Sequence, residues 1–298
     1  MPFDPLVRQS SNGRAHRPEL TQGAVVEGIR LPRYGSGSYR AILITARCDL
    51  AHVRTDTINL LPVVPLSEWI QYDGCIAITL SRILSLEGKI RDQLAKLPAE
   101  LTSLMADDWL EGYRLFVEDS EDVHRDVKSK LRPLLEERAG LVEGLRSNAE
   151  SPAKMQELLS ANAHAGKIFK DSAVKKVTEL MENKVLDAHF LPVIRPEERL
   201  SDGAGYVVLF RQIIALPGRL VVQLANGIAS EGDVAGDLAQ QARQLITFPA
   251  GVVANVCSPH VEHIMQRFSN VFGRIGVQDC SSSYKERIAG QYAFKGGA

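Results

Sequence analysis

Features that sort a chain at a glance are scarce in these 298 residues. The N-terminus, "MPFDPLVRQSSNGRAHRPEL", lacks the continuous apolar core of a signal peptide. No run approaches the roughly 18 apolar residues that span a membrane. Cysteine is sparse: Cys48, Cys75, Cys257 and Cys280 are widely spaced and form no CxxC pair. In a chain this long, that spacing argues against a disulfide framework and for reduced thiols. Charge of one sign is missing as well. Lys plus Arg number 35 against 36 for Asp plus Glu, which argues against a polybasic nucleic-acid binder but leaves room for a local basic groove. No internal repeat or coiled-coil heptad is evident. The expectation is a folded cytoplasmic protein with no membrane partner, and its 45% hydrophobic content is enough for a real core.

What is present changes period along the chain. Residues 1–20 are polar and contain prolines, as a loose arm would. "GAVVEGIRL" and "YRAILITA" have strand composition and are joined by "PRYGSGS", a hairpin loop in which a phosphate cradle is the minority reading. "INLLPVVPL" is a third apolar run that Pro62 and Pro65 confine to an edge or to the ends of short strands. From about residue 75 the spacing turns helical through Ile76, Leu80, Ile83, Leu84, Leu86, Ile90 and Leu94. It stays helical through Val123, Val127, Leu131, Leu134, Leu141 and Leu145, with Pro133 a boundary or kink. Ser151 and Pro152 then suit a helix start, and Val174, Val177, Leu180, Met181 and Val185 end the block.

Strand composition returns at "HFLPVI", "GYVVLFRQIIAL" and "RLVVQLA", the last two separated by the turn signal Pro217–Gly218. Residues 225–250 fit either a short helix or a loop. Ser258 and Pro259 suit an N-cap and first helical position, and Gly273 suits a C-terminal cap. Between them Val261, Ile264, Met265, Phe268, Val271 and Phe272 form one apolar stripe, and burial is expected for Ile264, Met265, Phe268 and Phe272. The economical fold is α+β: a small antiparallel β-barrel interrupted by a large helical insertion and closed by a C-terminal amphipathic helix. The corresponding segments are an arm (1–20), the first barrel part (21–74), the insertion (75–186), the second barrel part with its helix (187–276) and a tail (277–298).

The outer frame resembles the MazF/PemK family of small β-barrel toxins, many of them sequence-specific endoribonucleases. "GAVVEGIRLP" is similar to the family's opening strand, and Arg40 before "AILIT" to its Arg-Arg-Pro. "LLPVVPLS" resembles its Pro-(Ile/Val)-Thr-Ser strand end, and "GYVVLFRQIIAL" the strand that carries Asp-Gln-(Val/Pro)-Arg. "SPHVEHIMQRFSNVF" stands in place of the closing helix. The resemblance covers about 140 residues in two pieces and leaves the insertion unexplained. It implies an arginine acting with a Thr or Ser, or with an Asp before Gln. Here Val64 and Pro65 hold the Thr position and Arg211 the Asp position, so Arg40 alone survives. A lone guanidinium can hold a phosphate but is a poor base, because it stays protonated.

The remaining chemistry clusters in "ARCDLAHVRTD". Cys48 could be activated by His52 only if the segment were helical, and the favoured reading is a small half-buried residue at a strand end. Cys257, His260 and His263 have zinc-like spacing, but helical geometry turns His263 away from the apolar stripe, so no metal or cofactor is expected. Arg47, Arg54 and Arg211, with Tyr39, suit RNA backbone or protein contacts. The expected function is a non-catalytic interaction protein of bacterial stress-response, toxin–antitoxin or phage-defence type. It would bind another protein through the insertion, with RNA an admissible ligand and a homodimer an admissible assembly. The alternative is an endoribonuclease using Arg40, Asp49 and His52.

Overall fold

In a computed structural model, the described residues are 19–51, 56–97, 109–118, 120–121, 123–148, 154, 157, 160, 163–192 and 205–273. Their strands form one antiparallel sheet: β1 (Ala24–Ile29), β2 (Tyr39–Leu43), β3 (Thr57–Pro65), β4 (Ala188–Leu191), β5 (Tyr206–Leu209), β6 (Ile214–Pro217) and β7 (Ile246–Asn255). The order is β4-β5-β3-β2-β1-β7, with β6 also paired to β3. The class is α+β, as the change of period predicts.

The strands read as unbroken apolar runs because both faces of the sheet are covered. Val25, Ile42, Leu61, Val63 and Val208 line one face, while Val26, Ala41, Leu43, Leu60, Val64 and Val207 line the other. The first face packs against the C-terminal helix, and the second against the start of the insertion and the short helices near residues 218–245.

β3 corrects the reading of its prolines. It is a central strand, flanked by β2 on one side and by two short strands in series on the other. Residues 57–60 pair with β6 and residues 63–65 with β5. Asn59 faces β2, both through its carbonyl to the Ile44 amide and through its own N–H to Thr45 Oγ1. By alternation, Pro62 turns its missing N–H to the other side, into the gap between β6 and β5.

Helix begins directly after β3, earlier than the change of period suggests. α2 (Leu66–Trp69) continues through a π turn (Ile70–Gly74) into α3 (Cys75–Leu94). α4 (Trp109–Phe116), α5 (Arg125–Asn148) and α6 (Ala163–Met181) follow. Pro133 lies inside α5 and is not its boundary. Ile83, Leu86, Ile90, Tyr113, Leu131, Leu135 and Leu141 give the insertion a core of its own. The Ser151–Pro152 start lies outside the described residues.

The stretch "RLVVQLA" belongs to a helix, α7 (Gly218–Asn226), instead of a strand. Leu220, Val221 and Leu224 are fully buried while Val222 is exposed, which fits a stripe at helical spacing. Within the ambiguous 225–250 stretch, α8 (Ala239–Leu245) runs straight into β7, the strand that composition missed. α9 (His260–Gly273) follows it.

The expected barrel does not close. The hydrogen-bonded path ends at β4 and β7, which do not pair among the described residues. α9 crosses one face of the open sheet between them. Val261 lies against Gly23 just before β1, and Arg267 bonds the carbonyls of Asn183, Val185 and Ala188 beside β4. Val261 and Ile264 are buried there, with Met265, Phe268 and Val271 packed around them. Phe272, expected inside, is 42% exposed because the helix has passed the edge of the apolar cluster. No described helix is long and apolar enough to cross a membrane.

Candidate functional site

Arg40 lies near the start of β2 and faces the α9 side of the sheet, in register with Val63 on β3 and Glu27 on β1. Tyr39 precedes it and therefore faces the opposite side, where it joins the core against the insertion. Asp49 and Arg47 sit on α1 (Arg47–Ala51), beyond the other end of β2. About 10 Å of strand separates Arg40 from Leu43, and α1 begins farther on. Arg211 lies past β5, where its Nε is 3.1 Å from Asp187 Oδ2 in an exposed ion pair. The expected constellation is thus spread over the sheet. His52 and Arg54 lie outside the described residues.

Cys48 also departs from expectation. Its segment is helical, and the thiol is exposed, 3.7 Å from Asp49 Oδ1. Among the described residues no three His, Cys, Asp or Glu side chains are grouped to hold a metal ion. His263 is exposed as expected, yet its ring meets the buried His189 ring edge-on at 5.2 Å.

Strand pairing brings together side chains that spacing did not flag. Glu27 and Arg40 are direct cross-strand partners, which places their side chains as neighbours on one face. The Arg40 guanidinium carbon stands 4.9 Å from the Tyr206 ring centroid, a cation–π arrangement. All three residues are half-buried. A bulge follows Glu27 at Gly28, whose φ of +87° breaks the β1 register with both neighbouring strands. Bulges of this kind re-aim side chains. The sequence signal was weak, because the long β1–β2 connection, with its 3₁₀ turn at Pro32–Tyr34, hides the register.

A second polar cluster joins that connection to the π turn. The Tyr34 hydroxyl donates to Asp73 Oδ2, Arg33 Nη2 lies 3.1 Å from Asp73 Oδ1, and Arg33 Nε donates to the Tyr72 hydroxyl at 3.0 Å. The Tyr39 hydroxyl lies 2.9 Å from the Tyr34 carbonyl and 3.0 Å from Glu68 Oε2. Burial raises the Asp73 pKa, partly offset by the Tyr34 hydroxyl and the Arg33 charge. Burial and the adjacent Asp73 likewise push Tyr34 up, and burial with Glu68 pushes Tyr39 to about 12. Both phenols therefore stay protonated and act as donors. Replacing Tyr34 with Phe should cost about 1–2 kcal/mol, the worth of a hydrogen bond to a carboxylate that keeps a second partner. Urea denaturation checks this, and an unchanged midpoint would mean that the contact is dispensable.

The third cluster is built around His189. Its Nδ1 is 3.0 Å from Asn183 Oδ1, its ring stacks on Phe210 at 6.4 Å, and Phe268 packs on Phe210 at 6.3 Å. Burial, then the charges of Arg267, His263 and His260, depress its pKa to about 3. His189 is therefore neutral and structural near neutral pH.

No protein-family profile, curated protein or solved structure matches this chain.

Proposed function

We propose that this chain is a non-catalytic interaction protein on a MazF/PemK-like scaffold, an open relative of that barrel, of bacterial stress-response or phage-defence type. The helical insertion docks a protein partner, and the Arg40 face of the sheet holds RNA. The separation of the reactive groups carries this reading. Arg40 and Asp49 stand at opposite ends of β2, and Arg211 is engaged by Asp187. General acid–base cleavage needs proton-exchanging groups within hydrogen-bond reach of one reacting centre. Val64, fully buried, cannot exchange a proton.

Exposed apolar side chains support the docking role. Leu80 and Leu84 lie one turn apart on α3 at 48% and 68% exposure. Leu115 and Phe116 on α4, and Val174 and Met181 on α6, are exposed too. Lone exposed leucines are ordinary, but this many on one structural unit suits an interface.

Crosslinking in the native cell, comparing wild type with a Leu80→Asp, Leu84→Asp variant of unchanged circular dichroism, tests the docking role. One partner recovered with the wild type and lost with the variant is the expected outcome, and recovery with both would sink it. Incubation with long mixed-sequence RNA should give no discrete products. The endoribonuclease reading keeps one observation in its favour, the Glu27 carboxylate beside Arg40. Products that vanish in Arg40→Ala would establish it.

A further inference from the structure

We infer that the groove between the C-terminal half of α3 and the first half of α5 binds a free α-amino acid with an apolar side chain. It involves neither the Arg40 face of the sheet nor the exposed leucines of the insertion. The groove has a volume of about 430 Å³, within the range of small-molecule sites. Pro133 and the half-buried Leu134 give it an apolar side, and Lys89, Asp92, Ser129 and Lys130 bring polar groups to it. Pro133 shapes that wall. Lacking an N–H, it cannot bond the Ser129 carbonyl four residues earlier, and its ring crowds that carbonyl aside. A proline inside α5 therefore leaves a backbone acceptor at a wall that both residues line. The Ser129 hydroxyl is occupied, donating to the Asp126 carbonyl at 2.9 Å. The backbone oxygen is what Ser129 offers a ligand.

The charges of the groove select the ligand. Lys130 is held by Asp126 at 2.7 Å, and Gln93 Oε1 accepts from Lys96 Nζ at 3.0 Å. Lys89 and Asp92 remain, and neither has an ion-pair partner among the described residues. They stand three positions apart on α3 and are therefore neighbours on its surface, with opposite charge. A ligand of one sign would satisfy one of them and repel the other, whereas a zwitterion meets both. Their close spacing suits an α-amino acid, which carries both charges on one carbon, over a peptide, which carries them at opposite ends. The ligand carboxylate meets Lys89. Its ammonium, which has donors to spare, bonds Asp92 on one side of the groove and the Ser129 carbonyl on the other. Its side chain then covers Pro133 and Leu134, a contact that favours an apolar group.

The test is calorimetric titration of the full chain, with thermal shift as a second readout, using L-leucine, L-phenylalanine, glycine, and the N-acetyl and amide derivatives of the first two. At least one of the two apolar amino acids should bind with a Kd below about 1 mM. Its N-acetyl derivative, which lacks the ammonium, and its amide, which lacks the carboxylate, should each bind about tenfold more weakly. Glycine, with no side chain for the apolar wall, should also bind more weakly. Lys89→Met should weaken the amino acid about tenfold and erase the discrimination against its amide. Asp92→Asn should do the same for the N-acetyl derivative. Both positions are exposed, and unchanged circular dichroism will show that each variant is folded. Pro133→Ala, which restores the N–H and so engages the Ser129 carbonyl, should weaken binding several-fold. No binding of either amino acid up to about 10 mM by both readouts overturns the inference. Binding that Lys89→Met and Asp92→Asn both leave unchanged places the ligand elsewhere and overturns it too. Equal binding of parent and derivatives overturns the zwitterion, and tighter binding of glycine overturns the role of the apolar wall.

Discussion

Acidification from about pH 7 to about pH 4 should remove about 3 kcal/mol of stability through His189 alone. Its folded pKa is depressed to about 3 from an ordinary 6.5. A histidine held neutral when folded contributes nothing adverse above the unfolded value. As pH falls below that value, the unfolded chain takes up the proton and the folded one does not, so stability declines until pH reaches the folded pKa. The cause is local. The ring lies 6% exposed between Phe210 and α9, with the Arg267 guanidinium, His263 and His260 on the same side. Arg267 cannot withdraw, because three carbonyls bind it. Asp73 acts with the opposite sign: its raised pKa contributes stability at low pH that is lost as pH rises through the folded value. Denaturation curves over this pH range, for wild type and His189→Phe, isolate the histidine. The variant keeps an aromatic ring against Phe210, and its pH dependence should be shallower by about the same 3 kcal/mol. Parallel curves would show that His189 is protonated in the fold.

Replacing Gly28 with Ala should cost about 2–5 kcal/mol, combining left-handed backbone strain with overpacking. At φ +87° an L side chain is strained even in open space, and here the space is closed. The added Cβ would lie 2.5 Å from Ala250 Cβ, 2.7 Å from Ala250 Cα and 2.9 Å from the Pro249 carbonyl. Two of those three atoms belong to β7 backbone, so no side-chain rotation relieves the contact. A fall in thermal midpoint of several degrees is expected, and an unchanged midpoint would mean that β1 and β7 do not approach as described.

How much of this was legible beforehand depends on whether a side chain's neighbours were local. The apolar runs of β1 and β2 and the α9 stripe declare themselves through period, since their partners need only be apolar. β3 did not, because the feature that tolerates Pro62 is a gap between two strands from much later in the chain. α7 was hidden by Val221 and Val222, β-branched residues that favour strands until burial decides otherwise. Arg40 was legible as a lone arginine, whereas Glu27 became its neighbour only through a register set across an irregular connection. His189 carried no sequence signal at all, since its environment is built by α9 and the α6–β4 turn.

The two short strands that complete β3 have a consequence for the order in which the molecule assembles. Val63 can meet Val208 only after the whole helical insertion has been looped out between them. Closing a flexible loop costs more as it lengthens, by about 0.6 kcal/mol per doubling. An insertion that first condenses around Leu86, Ile90, Leu131 and Leu135 shortens that loop before the sheet needs it closed. The hairpin of β1 and β2 with β3 can form early, from contacts close in sequence, whereas β5 and β6 on β3, and β7 on β1, depend on contacts far apart in sequence and come later. Mutations in the insertion core should therefore slow refolding, while those between β5 and β3 should chiefly speed unfolding.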